Sequence, residues 1–207
     1  MPTKSSDCSV TASNLPALHE RRRVAGRLSA PVEPDRRYLL PHRLDGQQLL
    51  GHPTHNTRLD FVIQLPPSAV PRIVAAFSGD FYLDEAAVRA AYQPPHQFNA
   101  TDTRSALKVD FWLPKPDPFD KEMLGRRVRA TLLGEAAWIA TAEDVILHKL
   151  LWNRITPSDR QMGDAAGVVA VQAGVLDASY LSRWARELNL NKELEDLLSG
   201  KIKPKQT

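Results

Sequence analysis

Two apolar, β-branched and aromatic runs each enclose a single acid: Leu59-Asp60-Phe61-Val62-Ile63-Gln64-Leu65 and, further along, Ala106-Leu107-Lys108-Val109-Asp110-Phe111-Trp112-Leu113. Runs of this composition form buried strands. A carboxylate inside one is costly to desolvate unless it sits at the sheet's edge on a metal, a cation or hydrogen-bond donors. Two acids on two such strands therefore mark a site. Carboxylates held at fixed separation on neighbouring strands are the hard oxygen ligands that a Mg²⁺ phosphoryl-transfer centre needs. The alternative is a pair of strand-end acids, each with solvent or an Arg as its partner.

Local signals along the rest of the chain give a strand-rich part followed by a helical one. Pro66-Pro67 ends the first strand, and Val70, Ile73, Val74 and Phe77 fall at helical spacing over 68–78, closed by Gly79. Asp84 caps a second short helix through Tyr92, and Gln97 to Ala100 forms a β-ribbon with the Asp110 strand. Asp117-Pro118 opens a helical turn through Arg126, and strands over 128–133 and 136–140 meet at Gly134-Glu135. Thr141-Ala142-Glu143-Asp144 is a Thr-x-x-Asp analogue of a capping box that starts a helix through Trp152. Further helices cover about 158–173, stopping at Gly174, and a stretch capped by Asp177 that buries Tyr180, Leu181, Trp184 and Leu188; a short one follows.

Residues 1–58 lack any such period. They hold nine Lys/Arg against five Asp/Glu, which leaves 18 against 19 in the remainder, so the net charge of +3 is a property of this arm. Seven Arg lie between residues 21 and 43 with Tyr38 the one aromatic among them, a pattern that reads as a solvated tail before a nucleic-acid arm. No apolar run approaches the roughly 18 residues of a membrane span. No leader of the secretory kind is present, so the cytoplasm is the expected location. The single Cys8 excludes an intrachain disulfide. Four segments are expected: a poorly ordered arm over 1–58, a sheet domain over 59–140, a helical region over 141–199 and a disordered tail over 200–207.

The order of these features resembles the DNA polymerase β-like nucleotidyltransferase superfamily: a strand with Asp60, a helix, the Lys108-Val109-Asp110 strand, a hairpin, then Thr-x-Glu-Asp-x-x-x-x-Lys and Arg-x-x-x-Asp helices. Within it, residues 59 to about 198 look most like the bacterial nucleotidyltransferase toxins of abortive-infection type IV toxin–antitoxin systems. The resemblance implies an α+β fold, with a nucleotidyltransferase-like mixed sheet, flanking helices and a C-terminal helical annex. It implies transfer of an NMP from an NTP to an acceptor hydroxyl, with Mg²⁺ as cofactor, tRNA or another RNA as acceptor, a cognate antitoxin as partner and no membrane. By similarity Asp60 and Asp110 would be metal ligands, and Asp110 would also help deprotonate the hydroxyl. Lys108 would lie beside the phosphates, and Asp144, Lys149 and Asp164 match downstream signatures. Each of these three has a plainer reading: Asp144 as the capping-box acid, Lys149 as a solvated helix residue, Asp164 as the i,i+4 partner of Arg160.

Two family features are absent. The first metal acid should stand two residues before Asp60, where the chain has Arg58, and the Gly-Ser turn whose N–H groups cradle a triphosphate should lie near Arg43-Leu44. The genetic code supplies a cause. If the codons of residues 36–58 are read one base out of register, degeneracy permits Gly-Val-Thr-Tyr-Cys-Leu-Ile-Gly-Ser-Met-Ala-Ser-Ser-Tyr-Trp-Gly-Thr-Pro-Arg-Thr-Thr-Arg-Asp, which holds the missing motif in order. A frameshifted gene would explain the aperiodic arm and would leave the Asp60 strand at the sheet's edge. Two function classes stay open: an impaired nucleotidyltransferase, or a non-catalytic binding module or pseudogene product that keeps the annex and the back of the sheet.

Overall fold

The computed structural model describes residues 40–41, 58–105, 107–132 and 135–204. The expectations for Met1 to Asn14, for the Arg-rich arm, for the Arg43-Leu44 position and for the Gly134 turn lie outside these residues.

A five-stranded mixed sheet comes first. Its strands are β1 (Leu40–Pro41), β2 (Arg58–Val62), β3 (Phe81–Tyr82), β4 (Gln97–Asp102) and β5 (Lys108–Trp112), in the order β1-β2-β5-β4-β3. β2 and β5 run parallel; the other pairs are antiparallel. Alternate residues of a strand face opposite sides, so Phe61, Phe98 and Phe111 share one face. A 3₁₀ turn (Pro67–Ala69) leads into α1 (Val70–Phe77), which lays Val70, Ile73 and Phe77 on that face; α2 (Glu85–Ala90) adds Val88. The Phe111 ring is the centre of this core, 4.9 Å from Phe98, 5.5 Å from Phe77 and 6.1 Å from Phe61.

The rest is mainly helical. α3 (Pro118–Arg126) precedes a hairpin of β6 (Val128–Leu132) and β7 (Glu135–Ile139), then come α4 (Ala142–Ile155), α5 (Asp159–Val171), α6 (Ala178–Glu187) and α7 (Asn191–Leu198). The caps are those the sequence spells: Asp84 accepts from Ala86 N, Asp117 from Asp120 N, Thr141 from Asp144 N and Asp177 from Tyr180 N. Gly79 and Gly174 have φ of +90° and +84°, left-handed values that suit glycine and stop a helix. A second core joins Leu147, Leu150, Val168, Leu181, Trp184 and Leu194, and Ile202, just past α7, packs against it. Among the described residues no helix is long and apolar enough to cross a membrane.

The β6–β7 hairpin forms a two-stranded sheet of its own. One expectation is corrected. The Asp60 strand is not the edge: Leu40 and Pro41 pair with Val62 and Phe61. A strand edge offers a row of backbone donors and acceptors to any extended segment that reaches it, and here a two-residue segment of the arm takes the last part of β2.

Candidate functional site

Parallel pairing in register is what builds the candidate site. Asp60 is the direct partner of Asp110, and on the other side of β5 Asp110 is partnered by Asn99. Neighbouring strands lie about 4.8 Å apart, so the two acids and Asn99 form one row across three strands, on the face opposite the phenylalanines. The next row holds Arg58, Lys108 and Thr101. Asp60 and Asp110 are buried, at 4% and 0% exposure, while Asn99 and Lys108 are exposed. The strip therefore runs from solvent at β4 inward to the acids, and both acids have partners in the structure.

The helical unit rests against this same face. Val62, two residues beyond Asp60, packs on Met123 and Leu124 of α3, and Trp112, two beyond Asp110, meets Trp152 of α4 edge-on at 4.6 Å. Lys149 lies three residues before Trp152, on a neighbouring stripe of α4. Lys149 is only 1% exposed and its Nζ stands 2.9 Å from Oδ2 of Asp164 on α5. The structure thus brings together Asp60 with Asp110, and Lys149 with Asp164. Two plainer sequence readings are overturned: Lys149 is a buried helix residue, not a solvated one, and Asp164 pairs across helices, where Arg160 was the expected partner.

Asp144 belongs to a different cluster. Its Oδ2 accepts from the Thr141 hydroxyl at 2.7 Å, its Oδ1 accepts from the Tyr180 hydroxyl at 2.5 Å, and Arg126 Nε is 3.7 Å away. Arg126 lies over the Tyr180 ring at 3.6 Å and reaches Glu143 at 3.2 Å, whose other oxygen accepts from the Asp177 backbone N–H. Burial dominates at Asp144 and raises its carboxyl above the ordinary range despite these donors. Burial, then the bond to Asp144, pushes the Tyr180 hydroxyl up, so the proton stays on Tyr180. Both Asp144 oxygens are engaged inside the helical unit; Asp144 N donates to Thr141 Oγ1 as in a capping box, while the carboxylate accepts from the Thr141 and Tyr180 hydroxyls. Sequence patterns gave no sign of Arg126 or Tyr180 here, since their contacts span α3, α4 and α6.

Asp120 shows how α3 is held. Burial alone would raise its carboxyl, but the His148 ring at 3.5 Å and the Lys115 backbone N–H at 2.7 Å outweigh burial and bring it below the ordinary value. A carboxyl lowered in the folded state contributes stability above its unfolded value, near 3.9, and loses it as pH falls through the folded value. Asp120→Asn is expected to cost about 1–3 kcal/mol near pH 7, the range for a charge-assisted bond or an orphaned buried donor. Urea melts at several pH values check this: the gap to the parent chain should narrow below about pH 4, and a gap independent of pH would contradict the assignment.

No protein-family model matches the sequence, and comparison with curated proteins finds no match. Among solved structures, a crystal structure of an antigenic nucleotidyltransferase-like protein from Paracoccidioides brasiliensis is similar at 13% identity and a TM-score of 0.41, covering 82% of this chain and 85% of that one.

Proposed function

We propose that the chain is a nucleotidyltransferase-type protein in which Asp60 and Asp110 are the remaining half of a metal-dependent NMP-transfer site, and that as written it is catalytically impaired. The observation that supports this is the in-register placement of two buried acids on adjacent parallel strands. In the reaction the acceptor hydroxyl oxygen bonds to the α-phosphorus, the bond to pyrophosphate breaks, and the hydroxyl proton leaves. In this reading Asp110 takes that proton, Lys108 of the next row meets the phosphates, and the Lys149–Asp164 pair holds α4 to α5. The acceptor in this reading is an RNA such as tRNA, the donor an NTP and a further partner an antitoxin.

The fit to Mg²⁺ is partial. Two neighbouring carboxylates are suitable hard donors, and the ion would neutralise phosphate charge there. Yet among the described residues no three His, Cys, Asp or Glu side chains form a ligand set. The position two before Asp60 is Arg58, partnered by Lys108, so the adjacent row holds two cationic residues and no third acid. Opposing a cation at such range costs about a kcal/mol or more even when screened. Transfer of a phosphoryl group relies almost wholly on positioning and charge neutralisation, so half a site should leave little turnover. The cause of the impairment in this reading is a frameshift upstream of residue 36 with compensation at Arg58/Leu59. The same features favour a second reading, a non-catalytic binding module.

The test is incubation with labelled NTPs, Mg²⁺ and bulk tRNA, beside a thermal-shift titration with Mg²⁺-NTP. Negligible transfer is expected, and little thermal shift, whereas an intact site at 100 times its Kd would gain about 2.7 kcal/mol. Turnover by the unmodified chain that Asp60→Ala abolishes would overturn the impairment.

A further inference from the structure

Beyond the C-terminal ends of β2 and β5 lies an open groove of about 780 Å³. Gln64, Leu124 and Gly125 line it, with Lys115, Lys121 and Arg127 among the other lining residues. Asp117 is the one acid on its lining among the described residues, and its carboxylate is committed to the Asp120 N–H as the cap of α3. Lys115 and Lys121 are exposed and their side chains make no ion pair among the described residues. Lys115 sits in a Pro-Lys-Pro-Asp-Pro run over 114–118, where three prolines fix φ, and its own backbone N–H is tied to Asp120 at 2.7 Å. The cation is thus presented on a stiff loop that loses little freedom when it binds.

The charge continues past the groove. Arg127 leads into β6, and Arg129 is the cross-strand partner of Trp138 on β7. Both guanidinium groups approach the half-buried indole, at 4.8 and 5.5 Å from its ring centre. Guanidinium planes and an indole are both stacking surfaces for nucleobases. Cations spaced along a groove, ending on an aromatic platform, match an alternation of phosphates and bases.

We propose that this groove and the β6–β7 hairpin form a docking surface for single-stranded nucleic acid, with backbone phosphates on Lys115, Lys121 and Arg127 and a base on Trp138 and Arg129. A polycarboxylate peptide has the charge but nothing for Trp138 to stack on, and a duplex keeps its bases inside. The surface is separate from the acid row and does not depend on transfer chemistry.

Fluorescence anisotropy of a labelled single-stranded RNA about 12 nucleotides long, long enough to span a site of this kind, with the full chain and without NTP, tests it. Lys115→Glu/Lys121→Glu should weaken binding by at least about ten-fold and flatten the salt dependence by roughly 1.4 in log–log slope, about 0.7 for each phosphate of a single strand left without its cation. Trp138→Ala should cost on the order of ten-fold with little change in slope. Lys203→Glu, a charge reversal at an exposed lysine that is not on the groove's lining, should leave the affinity nearly unchanged, which separates this surface from a general effect of net charge. If the charge-reversal variant is misfolded by circular dichroism, Lys115→Gln/Lys121→Gln gives the same readout with a smaller loss. Unchanged binding in a folded groove or Trp138 variant, equal competition by polyglutamate or by duplex, or an equal loss of binding in folded Lys203→Glu would each overturn the proposal.

Discussion

Replacing Asp164 with Ala is expected to destabilise the chain by about 3–5 kcal/mol, the cost of leaving one member of a buried ion pair without the other. Lys149 is 1% exposed and its Nζ is 2.9 Å from Oδ2 of Asp164, whose side chain is 12% exposed. The asymmetry of exposure sets an order. Removing Asp164 takes the 2.9 Å carboxylate from a cation that solvent cannot reach, whereas Lys149→Met leaves a carboxylate that water can approach from one side, so the second change should cost less. Lys149→Met/Asp164→Leu should return to within about 1 kcal/mol of the parent, because apolar residues of similar volume replace buried pairs at little cost. Urea melts of the parent, Asp164→Leu, Lys149→Met and the double variant close the cycle and isolate the coupling. A loss below about 1 kcal/mol for Asp164→Ala would show that the pair does not hold α4 to α5. If the double variant folds well and keeps any nucleotide or RNA binding of the parent, the pair is architectural and its match to a catalytic signature is incidental.

That ambiguity shows where sequence stops being informative. The helix starts at Asp84, Asp117, Thr141 and Asp177 are short-range signals, each side chain accepting the N–H its spacing assigns, because capping is settled within one turn. The strands around Asp60 and Asp110 were legible for the same reason, as apolar runs bounded by Pro and turn residues. Their register was not. That Asp60 faces Asp110, and not Val109 or Phe111, is decided by packing Phe61 and Phe111 on one face, since a slip of one residue would send an acid into that core. Lys149 illustrates the opposite error: a local partner for Asp164 was visible at i−4, but burying Lys149 between α4 and α5 made the cross-helix pair the one that forms. The burial of Tyr180 was legible from helical spacing, but its contacts with Asp144 and Arg126, the Trp112–Trp152 pair and the Lys115–Lys121 groove had no signal, since each depends on elements distant in sequence.

The largest change in activity is expected from the gene, not from any single substitution. Arg58→Asp alone should not restore transfer, because the Gly-Ser turn that would cradle the triphosphate is also missing and phosphate positioning supplies much of catalysis in this reaction class. The frameshift reading fixes synonymous choices that the protein itself leaves free. Arg43 must be CGG followed by a C-initial Leu codon, so that GGC appears; Asp45 must be GAT, so that ATG appears; and Arg58 must be CGA, since GAC-ATC-GAC becomes CGA-CTC-GAC on losing one A. Sequencing the gene tests these together, and third bases that forbid Gly-Ser or the first Asp would leave a diverged N-terminal arm as the explanation. If they agree, restoring the frame at both ends places an Asp two residues before Asp60 and a Gly-Ser turn ahead of it. The repaired chain should then gain Mg²⁺-dependent stabilisation by NTP, about 2.7 kcal/mol at 100 times Kd, and NMP transfer at least about 10³-fold above the parent, a gain of the size that lost charge-stabilising groups account for in related chemistry. Asp60→Ala and Asp110→Ala should each abolish that gain, and a repaired chain that binds no NTP would refute the acid row as a transfer site even with the codons in place.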